Sequence, residues 1–377
     1  KQFWLKPCAR PRFLLTLRCS RSPLPNRSAP WTADAAAAPM SDTAPLPTDG
    51  GSPPERLRAL LAADGCVTVP GVGDPLSARI AHVELGFPVL FVSGFYATAS
   101  LLGLPDADML GFAEMAAHVA RIRLAVPNAL LIVDGDTGYG GPVQVKRTIK
   151  GFANSGAACV MIEDQVAPKQ CGHTEGKQVV PFGDACARVQ AAVDARSEMG
   201  ARGPLVLART DARIMGQAEA IKRGKAFKEM GADVVFLEAP LSEDDMRADS
   251  EALPGVHKMV NLVEWSKTPQ LRKEKVAEMG YKIAVYPLLM LNASIGAMYQ
   301  WCRRLRDGEG DNDQQVAPVA PEECTSTPAL MANKDVHRLV GFPDYHRECK
   351  RYADVHARVV AGECADADAA PSKRVRT

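Results

Sequence analysis

Three observations predict an α/β fold of the TIM-type (β/α)8 barrel class. Short, continuously apolar segments alternate with amphipathic ones from Cys66 to Leu305. The apolar segments are rich in Val, Ile and Leu, as parallel strands covered on both faces must be. There are eight such pairs in about 240 residues, which is the size of a closed barrel. A doubly wound open sheet is disfavoured, because the first apolar segment ends in Pro70-Gly71-Val72-Gly73-Asp74 and lacks the G-x-G-x-x-G spacing.

The predicted strands are Cys66–Val72, Val89–Gly94, Ala129–Asp136, Cys159–Asp164, Leu205–Asp211, Val234–Ala239, His257–Val263 and Lys282–Pro287. A short helix over Glu55–Ala63 precedes them. The alternating helices are Leu76–Leu85, Met109–Val126, Val143–Ser155, Asp184–Met199, Gln217–Met230, Glu243–Ala252, Pro269–Met279 and Leu289–Leu305. Gly86, Gly156, Gly231 and Gly280 follow helices as stop signals.

The barrel domain is expected over 55–306. Residues 1–54 read as a leader or transit-like segment and a disordered Ala/Pro/Gly/Ser linker. Lys1 to Trp31 carries seven basic residues and no acid, the composition of an organelle transit peptide. Mitochondrial or plastid targeting is expected if 1–39 is such a peptide, and a cytoplasmic protein if translation starts at Met40. Residues 307–333 read as a linker, 334–362 as a C-terminal helical segment and 363–377 as a disordered tail. The helical segment is too short for its own core and should pack on the barrel or on a neighbouring subunit.

The formal charge of +1 gives no reason to expect nucleic acid or an anionic membrane as partner. No apolar run approaches the roughly 20 residues of a membrane-spanning helix. The 10 cysteines are scattered without a C-x-x-C pair, so reduced thiols are expected.

Barrel chemistry collects at the C-terminal ends of the strands. Here those ends supply Ser93-Gly94-Phe95, Asp134 and Asp136, Glu163 and Asp164, Arg209 and Asp211, Glu238, Asn261, and Tyr286. Asp134 and Asp136 share a strand face. With Glu163 they form a carboxylate cluster that repels itself unless a cation sits among them. Oxygen donors without a zinc-like His or Cys pair point to Mg2+, with Mn2+ as the other hard ion. Asp164 should point away and cap the next segment. Arg209 suits either a buried ion pair or a fork for a substrate carboxylate. Glu238 would orient Arg209 or a substrate hydroxyl. Asn261 would be a strand-end cap or a substrate donor.

Gln165–Val179 has the glycines and polar groups of a mobile lid, with Cys171 between Lys169 and His173 as candidate acid or nucleophile. The stretch 172–177 fails as a P-loop, because its glycine spacing is one short and Gln178 replaces Ser/Thr. The loops after strands seven and eight lack glycine, so a phosphorylated substrate is not favoured.

These strings resemble the isocitrate lyase/phosphoenolpyruvate mutase superfamily. The match rests on V-D-G-D-T-G-Y-G at 133–140, I-E-D-Q at 162–165, P-K-Q-C-G-H at 168–173, G-K-Q-V-V-P at 176–181, A-R-T-D-A at 208–212 and L-E-A-P at 237–240. It is nearest the group of petal death protein, oxaloacetase and carboxyvinyl-carboxyphosphonate phosphorylmutase. The resemblance implies a homotetramer, a dimer of helix-swapped dimers, and Mg2+ held by Asp134, Asp136 and Glu163. It implies substrate contacts from Ser93, Gly94, Phe95, Gly172, His173 and Asn261. Arg209, Glu238 and Asp106 then belong to the catalytic machinery, with Cys171 protonating a departing enolate. The Cys171-Gly172-His173 lid places the chain with carbon–carbon lyases acting on a small 2-hydroxy or 2-oxo dicarboxylate. A phosphonate-forming mutase is the alternative. Asn292 stands where methylisocitrate lyases carry an Arg for a third carboxylate.

Overall fold

The computed structural model describes residues 51–170, 176–306, 331 and 333–360. Eight parallel strands form a closed ring in sequence order: β1 (Val67–Val72), β2 (Val89–Val92), β3 (Leu130–Asp134), β4 (Cys159–Glu163), β5 (Leu205–Thr210), β6 (Val234–Leu237), β7 (His257–Asn261) and β8 (Ile283–Tyr286). The ring closes by pairing β1 with β8, from Val67 opposite Ile283 to Pro70 opposite Tyr286. All eight strand expectations hold, trimmed by one to three residues at their ends.

Side chains alternate across each strand. One set packs into a single interior cluster that includes Val69, Phe91, Ile132, Met161, Leu207, Phe236, Met259 and Val285. The alternate set, including Leu90, Leu131, Val160, Val206 and Val235, packs outward against the surrounding helices. The next inward positions on six strands are Ser93, Asp134, Glu163, Arg209, Glu238 and Asn261. The polar layer is thus the apolar interior continued by one step of the same period.

The helix α1 (Pro53–Ala62) begins with two prolines, whose missing N–H groups cost nothing there. Glu55 reaches back to accept from the Ser52 N–H at 2.7 Å, completing a capping box. Its Leu57 and Leu61 join the interior cluster and plug the N-terminal mouth of the barrel.

The helix α2 (Pro75–Arg79) runs on through a wider five-residue turn, Ile80–Glu84. Between β2 and α4 (Phe112–Ala125) lies α3 (Gly94–Leu102), which the sequence reading missed. Val89–Gly94 reads as one strand because its apolar run passes straight into the helix, with Ser93 as the only break. That Ser is the N-cap, and its Oγ accepts from the Tyr96 N–H at 3.3 Å.

Then follow α5 (Pro142–Asn154), α6 (Phe182–Glu198), α7 (Gln217–Glu229), α8 (Glu243–Ala252), α9 (Lys273–Glu278) and α10 (Leu289–Arg306). The four stop glycines, Gly86, Gly156, Gly231 and Gly280, all have positive φ (74°, 102°, 94° and 84°).

At the C-terminal end, α11 (Asn333–Leu339) and α12 (Phe342–Val360) form the expected helical pair. The first docks on the α2 region: Arg79 Nε donates to the Leu339 carbonyl at 2.9 Å, and Arg338 pairs with Glu84. No residue of α12 is buried, and α10 buries only Leu291. Among the described residues no helix is long and apolar enough to cross a membrane. Residues 1–50, 307–330 and 361–377, on which the leader, most of the linker and the tail were expected, lie outside those described.

Candidate active site

The C-terminal mouth is built on β3. Asp134 is the last inward residue of that strand. Its Oδ2 accepts from the Gly94 N–H at 3.2 Å and its Oδ1 from the Asp136 N–H at 3.1 Å. The second bond is a tight local turn, and it places Asp136 at φ 47°, a left-handed conformation that Asp tolerates. Asp136 Oδ2 accepts from the Tyr139 hydroxyl at 3.1 Å. Burial, then the neighbouring Asp136 charge, pushes the Asp134 carboxyl up to about 6.

A cation does enter this cluster, and it belongs to the protein. Lys169 Nζ lies 2.5 Å from Asp106 Oδ1 and 2.7 Å from Asp136 Oδ1. Its backbone N–H donates to Asp108 Oδ2 at 2.7 Å, tying the start of the lid stretch to the segment between α3 and α4. Burial works against the Lys169 ammonium. Asp136, Asp134, Asp106 and Glu163 together outweigh it and hold the group well above the usual lysine range.

The β4 and β5 ends meet in register, Glu163 opposite Arg209. Glu163 Oε2 lies 3.2 Å from Arg209 Nε. Burial raises the Glu163 carboxyl well above the carboxylate range, against the pull of Arg209. Arg209 turns its fork to Asp211, with Nε at 2.8 Å and Nη2 at 3.1 Å. Asp211 also takes Lys177 Nζ at 2.7 Å. Burial alone would raise Asp211, but Arg209 and Lys177 hold it down at about 2. Arg209 is thus one member of a buried ion-pair network. Glu238 Oε1 lies 3.9 Å from Arg209 Nη2, and its Oε2 accepts from Asn261 Nδ2 at 3.3 Å.

Asp164 points outward, as its odd position required. It accepts from Thr210 Oγ1, from the Asp211 N–H and from Arg223. Ser93, Gly94 and Phe95 open α3, so a helix N-terminus faces the acid pair, with its Gly94 N–H already donated to Asp134. Phe95 is half-buried there. Cys171, Gly172 and His173 lie outside the described residues. The base of their loop is described. Gln165 pairs with Val179 as an antiparallel bridge and exchanges two hydrogen bonds with the Gln170 backbone, at 2.9 and 3.0 Å.

Sequence reasoning missed the roles of Lys177, Tyr139 and Asp108, and gave Lys169 only that of a neighbour to Cys171. The D-A-D spacing of Asp106 and Asp108 was the one available signal. Among the described residues, no three His, Cys, Asp or Glu side chains cage a metal by themselves. The donor chemistry nonetheless fits a largely water-coordinated hard ion. Glu163 Oε1 is buried with no hydrogen-bond partner. The missing side chain of Gly94 leaves room beside both aspartates: a Cβ there would lie 3.0 Å from Asp134 Oδ2 and 3.2 Å from Asp136 Oδ1.

The family model described as phosphoenolpyruvate phosphomutase matches residues 57–306. A curated relative, 2,3-dimethylmalate lyase of Eubacterium barkeri, is 36% identical over 265 residues, covering 70% of this chain and 88% of the relative. The solved structure of oxaloacetate acetylhydrolase with the inhibitor 3,3-difluorooxalacetate superimposes with a TM-score of 0.72 at 32% identity, over 80% of this chain and 97% of the other. Phosphonopyruvate hydrolase in complex with oxalate and Mg2+ does so with a TM-score of 0.67 at 27% identity, over 80% and 99%.

Proposed function

This chain belongs to the phosphoenolpyruvate phosphomutase family, within the isocitrate lyase/phosphoenolpyruvate mutase superfamily of enzymes, and from that premise we propose that it is a Mg2+-dependent carbon–carbon lyase acting on a small 2-hydroxy or 2-oxo dicarboxylate. The observation that carries the reading is the ring of inward polar residues around the opening of α3, with Asp134 and Asp136 beneath it and Arg209 beside it.

The substrate's oxyacid end binds at Ser93, Gly94 and Phe95, where the helix N-terminus favours an anion. Asp134 and Asp136, with Glu163 completing the site, would hold Mg2+ or Mn2+. The ion supplies Lewis acidity that favours negative charge on the substrate oxygens. For a 2-hydroxy substrate, a base takes the hydroxyl proton, the oxygen becomes a carbonyl as the C–C bond breaks, and the bonding pair leaves as an enolate that Arg209 stabilises, its charge held in place by the ring of carboxylates. Glu238 and Asn261, hydrogen-bonded to each other, orient the far end of the substrate. Asp106 acts through the Lys169 ammonium that it pairs. Cys171, with Gly172 and His173 of the lid, returns a proton to the departing enolate.

Such a substrate is a small carboxylate. The apolar outer faces of α10 and α12 (Ile295, Met298 and Tyr299; Tyr345, Tyr352 and Val355) are the surfaces that a helix-swapped homotetramer would cover. A mutase forming a C–P bond is the second reading, favoured by the description of the matching family model.

The test is a screen of hydroxy- and oxo-dicarboxylates with Mg2+, following release of a 2-oxoacid, beside a phosphonate assay. Cleavage of a malate derivative or oxaloacetate is expected. Turnover of phosphonates alone would overturn the lyase reading. Cys171→Ser should lower turnover by about a hundredfold or more with metal affinity intact.

A further inference from the structure

We propose that Asp164, Thr210 and Arg223 are positioning residues: a relay on the outer side of the barrel wall that sets the guanidinium of Arg209 on the inner side. The inference rests on the lyase reading, in which Arg209 faces the substrate.

The connections are continuous. Arg223 rises from α7 and donates from Nη1 to Asp164 Oδ2 at 2.9 Å, while its Nε donates to Glu219 at 3.1 Å. Thr210 Oγ1 donates to the same Asp164 oxygen at 2.6 Å. The other oxygen, Oδ1, accepts from the Asp211 N–H at 2.9 Å. The Thr210 hydroxyl in turn accepts from the Ala212 N–H at 3.1 Å, so three consecutive residues are pinned. Asp211 then grips Arg209 by two hydrogen bonds, and Arg209 Nε faces Glu163 at 3.2 Å. Asp164 directly follows Glu163, so the relay leaves β4 on one face and returns to it on the other.

Stability does not explain the arrangement. Asp164 is 1% exposed and Arg223 2%, in a layer otherwise filled by Ile162, Ala208, Ala220, Phe227, Val235 and Leu237. A buried ion pair there is replaceable by apolar side chains at little cost or at a gain. What an apolar pair would not supply is direction. Three donors converge on one carboxylate, and the backbone they fix carries the acid that holds Arg209.

The experiment uses the full chain with Mg2+. It measures oxalate affinity by calorimetry, and kcat and KM for whichever dicarboxylate is turned over. Asp164→Asn, Arg223→Met, Arg223→Lys and Thr210→Val are compared, and Asp164→Asn is repeated in an Arg209→Lys background. Misplacing a group away from the chemistry costs up to about 100-fold. On that scale, Asp164→Asn and Arg223→Met should weaken oxalate and kcat/KM by about tenfold or more, with Mg2+ affinity unchanged. Thr210→Val, the mildest change and the one retained if the others misfold, should cost about threefold, and Arg223→Lys should recover most of the Arg223→Met loss. In the Arg209→Lys background Asp164→Asn should add nothing. The same loss in both backgrounds, or unchanged oxalate affinity in Asp164→Asn and Thr210→Val, would overturn the relay. A wild-type protein that binds oxalate with Mg2+ but cleaves no dicarboxylate sinks the lyase reading, while the oxalate measurements still judge the relay.

Discussion

The two mouths of this barrel are closed by opposite chemistries. At the N-terminal mouth, α1 lays Leu57 and Leu61 onto the interior cluster. The ion pairs around it, Arg58 and Arg196 on Asp233, are partly exposed and worth little individually. At the C-terminal mouth, Asp106, Asp134, Asp136, Glu163, Asp211 and Glu238 are gathered around Lys169, Lys177 and Arg209. Acids outnumber the cations there, and burial drives Asp134 and Glu163 toward their neutral forms. One mouth lowers the free energy of the fold. The other gathers buried like charges that work against the fold.

Asp134→Asn tests that contrast most sharply. Turnover should fall by about a thousandfold, the scale of losing a central electrostatic group. The melting temperature of the metal-free protein should stay level or rise, because a like-charge contact is removed. A clear drop, read by calorimetry, would show that the acid pair stabilises the fold. Leu61→Ala at the opposite mouth should do the reverse: a loss of about 3 kcal/mol in chemical denaturation, with kcat unchanged well below the melting temperature.

The smallest effect belongs to His118, which is buried and donates from Nε2 to the Gly73 carbonyl at 2.7 Å, just past β1. Burial lowers its pKa below the usual histidine value, against the Gly73 bond and Asp74, while Arg121 also lowers it. The folded state therefore binds fewer protons than the unfolded one. Its contribution is present above the unfolded pKa near 6.5 and is lost as pH falls toward the folded value, by at most about 1.4 kcal/mol per pH unit. His118→Gln should flatten that part of the stability–pH curve. Identical slopes for the two proteins would refute the assignment.

Most of the barrel and the members of its polar layer were legible in the chain. The strand runs are short, apolar and punctuated by glycines, and six of the eight place a polar residue one period beyond their apolar ones. The helix α3 was not legible, because its apolar residues continue those of β2. Its absence from the reading hid that Ser93-Gly94-Phe95 opens a helix. Arg209 shows a different limit. Its type and position were evident, but its commitment to Asp211 was not, since either of several nearby acids would have served.

What the sequence determined by itself was therefore parity. The alternation of a strand decides which side of the wall a residue faces, so Glu163 goes inward and Asp164 outward before any neighbour is known. Tertiary structure alone decided the pairings. Lys169 meets Asp106 across 63 residues, Arg223 meets Asp164 across 59, and Lys177 meets Asp211 across 34. Those distances depend on how the closed ring and its loops bring separate strand ends together. Residue type and local period carry no record of that closure.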